Sequence, residues 1–140
     1  MKVLFVAGFG PIVNNQAAST ALYLETLGLP LESDPDGYLH TENLTGVKTF
    51  ALWPLSQAAR SCFGSDTWPE HLPIPQAWCE FDVDDVQAAT EELTARGYTV
   101  LVGAQREPWG QIVTRLLGPE GLLLGLTFTP SMRDDAKEQA

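Results

Sequence analysis

The chain has 140 residues, 44% of them hydrophobic and 19% charged, which suits one folded domain with a real core and excludes disorder. Eighteen acidic residues against eight basic ones give a formal charge of −10, which repels a phosphate backbone and argues against nucleic acid, whereas a neutral or cationic small molecule suits it. No apolar run approaches the roughly 18 residues of a membrane-spanning helix, and Met1 to Val6, with Lys2 as its charged flank, reads as the first strand of a cytoplasmic protein instead of a secretory signal.

That strand is expected over about Lys2 to Val13, with Gly8, Gly10 and Pro11 marking a bend or a close backbone approach. Asn14 and Asn15 supply a helix N-cap, and Gln16 to Leu27 reads as a helix ended by Gly28. Ala17, Ala21, Leu24 and Leu27, with Ala18 and Leu22 beside them, form an apolar stripe that should lie on a sheet. Asp34-Pro35-Asp36-Gly37 carries turn chemistry, and its two carboxylates lack the further ligands of a calcium loop. Tyr38 to Leu44 and Val47 to Pro54 then predict a hairpin across Thr45-Gly46. Leu55 to Pro75, with Trp68, His71 and the prolines 69, 73 and 75, reads as an irregular connector.

The second half opens on a strand over Gln76 to Val83, where Ala77, Cys79, Phe81 and Val83 alternate with Gln76, Trp78, Glu80 and Asp82. Asp84 is placed to cap the next helix, with Gln87 in the capping-box position. Val86, Ala89 and Leu93 make its inner stripe, and Gly97 stops it. Tyr98 to Val102, Gly110 to Leu117 and Leu122 to Phe128 complete three strands, the last two joined by the turn Gly118-Pro119-Glu120-Gly121. The chain thus divides into a module over 1–54, a connector over 55–75, a module over 76–130 and a charged tail over 131–140. Each module has the order βαβββ, an α+β architecture repeated twice. Cys62 and Cys79 lack metal spacing in a domain that needs no bridge, and both are expected reduced, Cys79 as a core residue.

These features resemble the vicinal oxygen chelate superfamily, which holds glyoxalase I, the extradiol dioxygenases and the bleomycin-resistance type binding proteins. Leu22-Tyr23 followed by Leu27-Gly28 is similar to that family's first helix. Phe81, Val83 and Asp85 resemble its second strand-to-helix junction, and Trp109-Gly110 with the Gly118 to Gly121 turn looks like its closing hairpin, although Gly118 stands where an Asp usually precedes the proline. The resemblance implies two βαβββ modules whose curved mixed sheets enclose a central cavity, with the helices outside. It also implies a homodimer.

The superfamily's enzymes hold a divalent metal on strands one, four, five and eight. Carried over, those positions fall on Gly8, near Phe50 or Leu52, on Trp78 and on Gly125, none of which offers a metal-binding side chain. Shifts of a few residues do not restore a ligand set: no Asp, Glu or His occurs between Met1 and Leu24, between Asn43 and Ser65, or between Leu122 and Met132. His40 and His71 have no partner at ligand spacing and are expected in surface or hydrogen-bonding roles. Neither a metal nor another cofactor is expected, and no GxSxG elbow, Walker loop or complete GxGxxG is present.

If the apolar face of the Gln76–Val83 strand meets the helix, Trp78 and Glu80 face the cavity. An indole beside a carboxylate suits a flat or cationic molecule. Trp53, Trp109, Phe50 and Tyr38 complete the candidate ligand-binding set. The pattern resembles the metal-free, bleomycin-resistance type proteins, which sequester a ring-bearing cationic antibiotic without chemical change, and so favours a small-molecule binding protein over an enzyme. The alternative is a metal-dependent lyase, isomerase or dioxygenase of the same superfamily with atypical ligands such as Glu80, His40 or His71. A subunit with a collapsed cavity is the third reading.

Overall fold

A computed structural model describes residues 1–133. Eight strands form one curved sheet: β1 (Val3–Val13), β2 (Glu32–Ser33), β3 (Leu39–Thr41), β4 (Thr49–Pro54), β5 (Ala77–Val83), β6 (Val102–Arg106), β7 (Ile112–Leu117) and β8 (Leu123–Phe128). Their order across the sheet is β2-β3-β4-β1-β5-β8-β7-β6. Each half contributes four neighbouring strands, and β1 and β5 pair antiparallel at the seam. β1 pairs parallel with β4, and β5 pairs parallel with β8. Register shifts between Val3 and Phe5 and between Val6 and Gly8 interrupt β1; such irregularities increase local twist and bend the strand.

Two glycines let the seam close tightly. A side-chain carbon at Gly10 would lie 1.9 Å from the Ala51 carbonyl oxygen, and one at Gly8 would lie 2.6 Å from the Trp78 ring. The close approach expected from Gly8 and Gly10 is therefore present, and Trp78 is the side chain that fills the room at Gly8.

Helix α3 (Val86–Ala95) covers the convex face of the second half, where Val86, Ala89 and Leu93 bury against Val83, Leu116 and Leu126. Its N-cap is Asp85, which accepts from the Ala88 amide; Asp84 instead accepts from the amides of Lys2 and Asp85. The cap thus lies one residue beyond the Asp84 that the sequence suggested. After α3 the Tyr98 amide turns back onto the Leu93 carbonyl, so that Tyr98 belongs to the helix terminus and β6 begins at Val102, not at Tyr98. The Tyr38–Leu44 strand shrinks in the same way, to Leu39–Thr41, because the Asn43 amide turns onto the Thr41 hydroxyl.

The first helix departs further from expectation. α1 (Gln16–Thr20), capped by Asn15, passes into a π-helical segment over Ala21–Thr26, where the Leu27 amide reaches the Leu22 carbonyl five residues back. That wider turn breaks the 3.6-residue period on which the stripe was drawn. Ala17, Ala18, Ala21, Leu22 and Leu27 are exposed, Leu24 is half-buried, and Tyr23 makes the contact with Val13, Leu39, Leu52 and Phe50. The connector also holds a helix that was not expected, α2 (Leu55–Phe63), ended by Gly64 in the left-handed conformation. Its Ala58, Ala59 and Cys62 pack with Trp78, Trp68, Ala51 and Leu123, closing one end of the concave face. Pro130–Met132 forms a short 3-10 turn, and Arg133 is buried in an ion pair with Asp82 at 2.9 Å. The charged tail from Ser131 is therefore held through Arg133; the rest of it lies outside the described residues.

Candidate functional site

The concave face bounds a cavity of about 430 Å³. Strand alternation decides which side chains enter it. On β5, Trp78 and Glu80 point inward while Cys79, Phe81 and Val83 point to the convex side. Trp53 at the end of β4, Tyr38 before β3 and Trp109 in the β6–β7 turn also line the cavity. Phe50 does not: it lies on the convex face against Tyr23 and Phe9. Five of the six predicted residues thus come together, and the sixth is on the other side of the sheet because one residue of strand reverses direction.

The roles of the inward indoles differ. Trp78 is 4% exposed, stands edge-on to Trp53 at a centroid distance of 6.0 Å, and donates its Nε1–H to the Ala51 carbonyl at 3.2 Å. It is chiefly a wall of the core. Trp109 is 66% exposed, with its Nε1–H donated to Gln111 Oε1 at 3.1 Å. Its ring is the freest stacking surface at the site.

At the floor Glu80 is already engaged. Its Oε1 accepts from Gln111 Nε2 at 3.0 Å and its Oε2 from Arg115 Nη1 at 3.1 Å. Arg115 is 1% exposed, lies 4.7 Å over the Trp53 ring, and donates Nε–H to Ser61 of α2 at 3.1 Å. Ser61 passes its own proton donor to Glu107 at 3.2 Å. A carboxylate so neutralised cannot be the main counter-charge for a cationic ligand.

Negative charge is instead found at the mouth, lined by Asp34, Asp36 and Glu42 around His40. His40 Nε2 meets Asp34 at 3.0 Å and Nδ1 meets Glu42 at 3.3 Å, while its ring stacks on Tyr38 at 5.3 Å. Partial desolvation pulls the imidazole pKa down, but the Asp34 and Glu42 hydrogen bonds and charges outweigh it and hold the pKa above its ordinary value. Burial, with the Glu80 charge second, raises the Tyr38 phenol and keeps it a neutral donor. Burial likewise raises the Cys62 thiol to about 11 and, less strongly, Cys79; both cysteines are free and are poor nucleophiles in this setting. His71 is exposed.

Sequence reasoning treated the Asp34–Gly37 segment as a plain turn and did not single out Arg115, Gln111 or Gln57 as site residues. Arg115 had one signal: it is the single charge in the run Ile112 to Leu117, and such a charge inside a strand calls for a partner.

The residues do not fit a divalent metal. Gly8 pairs with Thr49 on one side and Glu80 on the other, Glu80 with Gly125, and Gly125 with Arg115. This single row crosses strands four, one, five and eight and ends on a guanidinium. A side-chain carbon at Gly125 would come within 2.8 Å of Glu80 Cγ and 3.3 Å of Arg115 Nη1. Among the described residues no three His, Cys, Asp or Glu side chains gather as a ligand set.

The comparisons with known proteins agree with this architecture. The family model described as Glyoxalase/Bleomycin resistance protein/Dioxygenase superfamily matches residues 9–126. No curated protein matches the chain. Among solved structures, the chain is similar to a glyoxalase/bleomycin resistance protein/dioxygenase superfamily member from Vibrio splendidus 12B01, at 15% identity over 89% of this chain and 97% of that one, with a TM-score of 0.57. It is also similar to a Streptomyces coelicolor methylmalonyl-CoA epimerase in complex with 2-nitronate-propionyl-CoA, at 16% identity over 90% and 94% of the two chains, with a TM-score of 0.51. Likenesses at such identities speak to the fold alone. The paired βαβββ halves, the cavity between them and the match over most of the sequence together place the chain in the glyoxalase/bleomycin resistance protein/dioxygenase superfamily.

Proposed function

We propose that this protein binds a small ring-bearing molecule carrying a positive charge and holds it without chemical change, as a sequestering protein for an antibiotic or similar compound would. The observation that carries the reading is the cavity itself: aromatic walls of Trp53, Trp78, Tyr38 and Trp109 lead to a mouth edged by Asp34, Asp36 and Glu42. A ring gains from stacking and desolvation inside, and a cationic group gains from the carboxylates outside. Glu80 belongs to this site as the partner of Arg115, a role different from direct charge recognition.

Titration of the intrinsic tryptophan fluorescence with planar cationic antibiotics tests the reading. Saturable quenching by such compounds, weakened when Trp109 is replaced by Ala, is the expected result. Elemental analysis of protein purified without chelator supplies the opposing outcome, because a stoichiometric divalent metal that supports turnover would overturn binding without chemistry.

The same reading places the protein in the cytoplasm as a homodimer. Val6 and Phe9 of β1, and Leu22 and Leu27 beside the π-helical segment, are exposed apolar side chains, and burying such surface against a second copy is favourable.

A further inference from the structure

We propose that Arg115 is the cavity's resident cation, with its guanidinium at the end of a row of paired residues across the cavity floor, and that it offers a fixed N–H donor to an oxygen on the inner end of the ligand. The row Thr49, Gly8, Glu80, Gly125, Arg115 brings one carboxylate and one guanidinium together at the floor. The two glycines in it are what this arrangement requires: Gly8 leaves room for the Trp78 ring, and Gly125 leaves room for the Glu80–Arg115 pair. Replacing either by a metal-ligating side chain would displace the groups now present.

Arg115 is held from several sides but not used up. Nε is donated to Ser61 and Nη1 to Glu80, and Trp53 covers one face of the guanidinium. Nη2 has no partner among the described residues, and it is not sealed away, because no buried side-chain nitrogen or oxygen there is left unpaired. Arg115 is itself a lining residue of the cavity. Nη2 is therefore the Arg115 donor left for an acceptor in the cavity. The Tyr38 hydroxyl is a second neutral donor in the same lining, without a hydrogen-bond partner among the described residues. An oxygen with two lone pairs, such as a phenol or carbonyl oxygen, suits these donors, whereas an ammonium group would meet donors only. The ligand class is thus polarised along its length, with an oxygen inward, a ring between the aromatic walls and a cation at the acidic mouth.

This inference rests on the proposed binding of a cationic ring, and the test separates the two. Calorimetric titrations use three probes with one ring: phenethylamine, tyramine, which adds a para oxygen, and 4-ethylphenol, which lacks the amine. The wild-type protein is expected to bind tyramine about tenfold more tightly than phenethylamine, the scale of one hydrogen bond to a charged donor. The double variant Glu80→Gln/Arg115→Met removes the pair together and leaves no orphaned charge. It is expected to bind the two amines with equal affinity, the ratio between them being the quantity read. Equal binding of tyramine and phenethylamine by the wild-type protein would overturn the role of Arg115 while leaving the proposed function standing, as would a tyramine advantage that survives in the double variant. Failure of either amine to bind better than 4-ethylphenol would overturn the proposed function and this inference with it.

Discussion

Glu80 illustrates how little a residue's type says about its role before its neighbours are known. Its place on the inward face of β5 follows from alternation, but its neutralisation by Arg115 depends on a residue 35 positions away. The Glu80→Gln variant is expected to lose about 3 kcal/mol of stability in urea unfolding, the scale for orphaning a buried charge, yet to keep its preference for cationic over neutral rings. Loss of that preference would return the charge-recognition role to Glu80. His40 acts oppositely, through a pKa raised in the folded state. Its ion pairs with Asp34 and Glu42 are fully present below the unfolded value of about 6.5 and are lost as pH rises through the higher folded value. Thermal unfolding of wild type and His40→Gln should therefore differ most at pH 5.5 and converge by pH 8.5. A gap that widened toward high pH would contradict the sign of this contribution.

At the scale of elements, what could be read from the sequence was governed by whether a local period persisted. β5 and α3 kept theirs: α3 buries its predicted face, and β5 alternates in direction although residues on both of its faces are buried. The first helix changed pitch at Ala21, so its stripe described a face that does not exist. α2 was hidden for a different reason: it starts after Pro54 with no side-chain cap, inside a proline-bearing segment, although Leu55, Ala58, Ala59 and Cys62 have helical spacing. That helix matters to the site because Ser61 bridges Arg115 and Glu107. Ser61→Ala is expected to cost about 1–3 kcal/mol in chemical unfolding, since Arg115 Nε and Glu107 each lose a buried partner. An unchanged unfolding midpoint would mean that α2 is held by apolar packing alone. At the far end of β5, Asp82 accepts from Thr129 and pairs with Arg133. Asp82→Ala should cost about 3–5 kcal/mol by leaving Arg133 buried without its counter-charge; a loss below about 1 kcal/mol would show that the pair behaves as though solvent-exposed.

For the whole molecule, element order was the legible part: two βαβββ runs, each with its own helix-ending glycine, specify a paired architecture without any long-range information. The site was legible only as far as face and strand end reached, which gathered the aromatic walls. The acidic mouth was not, because Asp34 reads as a turn residue until the β2–β3 pairing sets it beside His40, and the Arg115 floor was not, because it depends on distant partners in β5 and α2. Light scattering over a range of concentrations should report twice the chain mass if the exposed apolar side chains of β1 and the π-helical segment meet a second copy; a single-chain mass throughout would argue that they remain in water. The ends of the sheet bear on how such copies can meet. β2 is only two residues long, and β6 is interrupted around Ala104, which has a positive φ and whose amide is taken by the Thr114 hydroxyl. Neither margin presents a regular run of unpaired backbone groups, so an arriving strand has no template to extend. A second copy would thereby be steered away from open-ended growth by strand addition and toward closed contacts between faces.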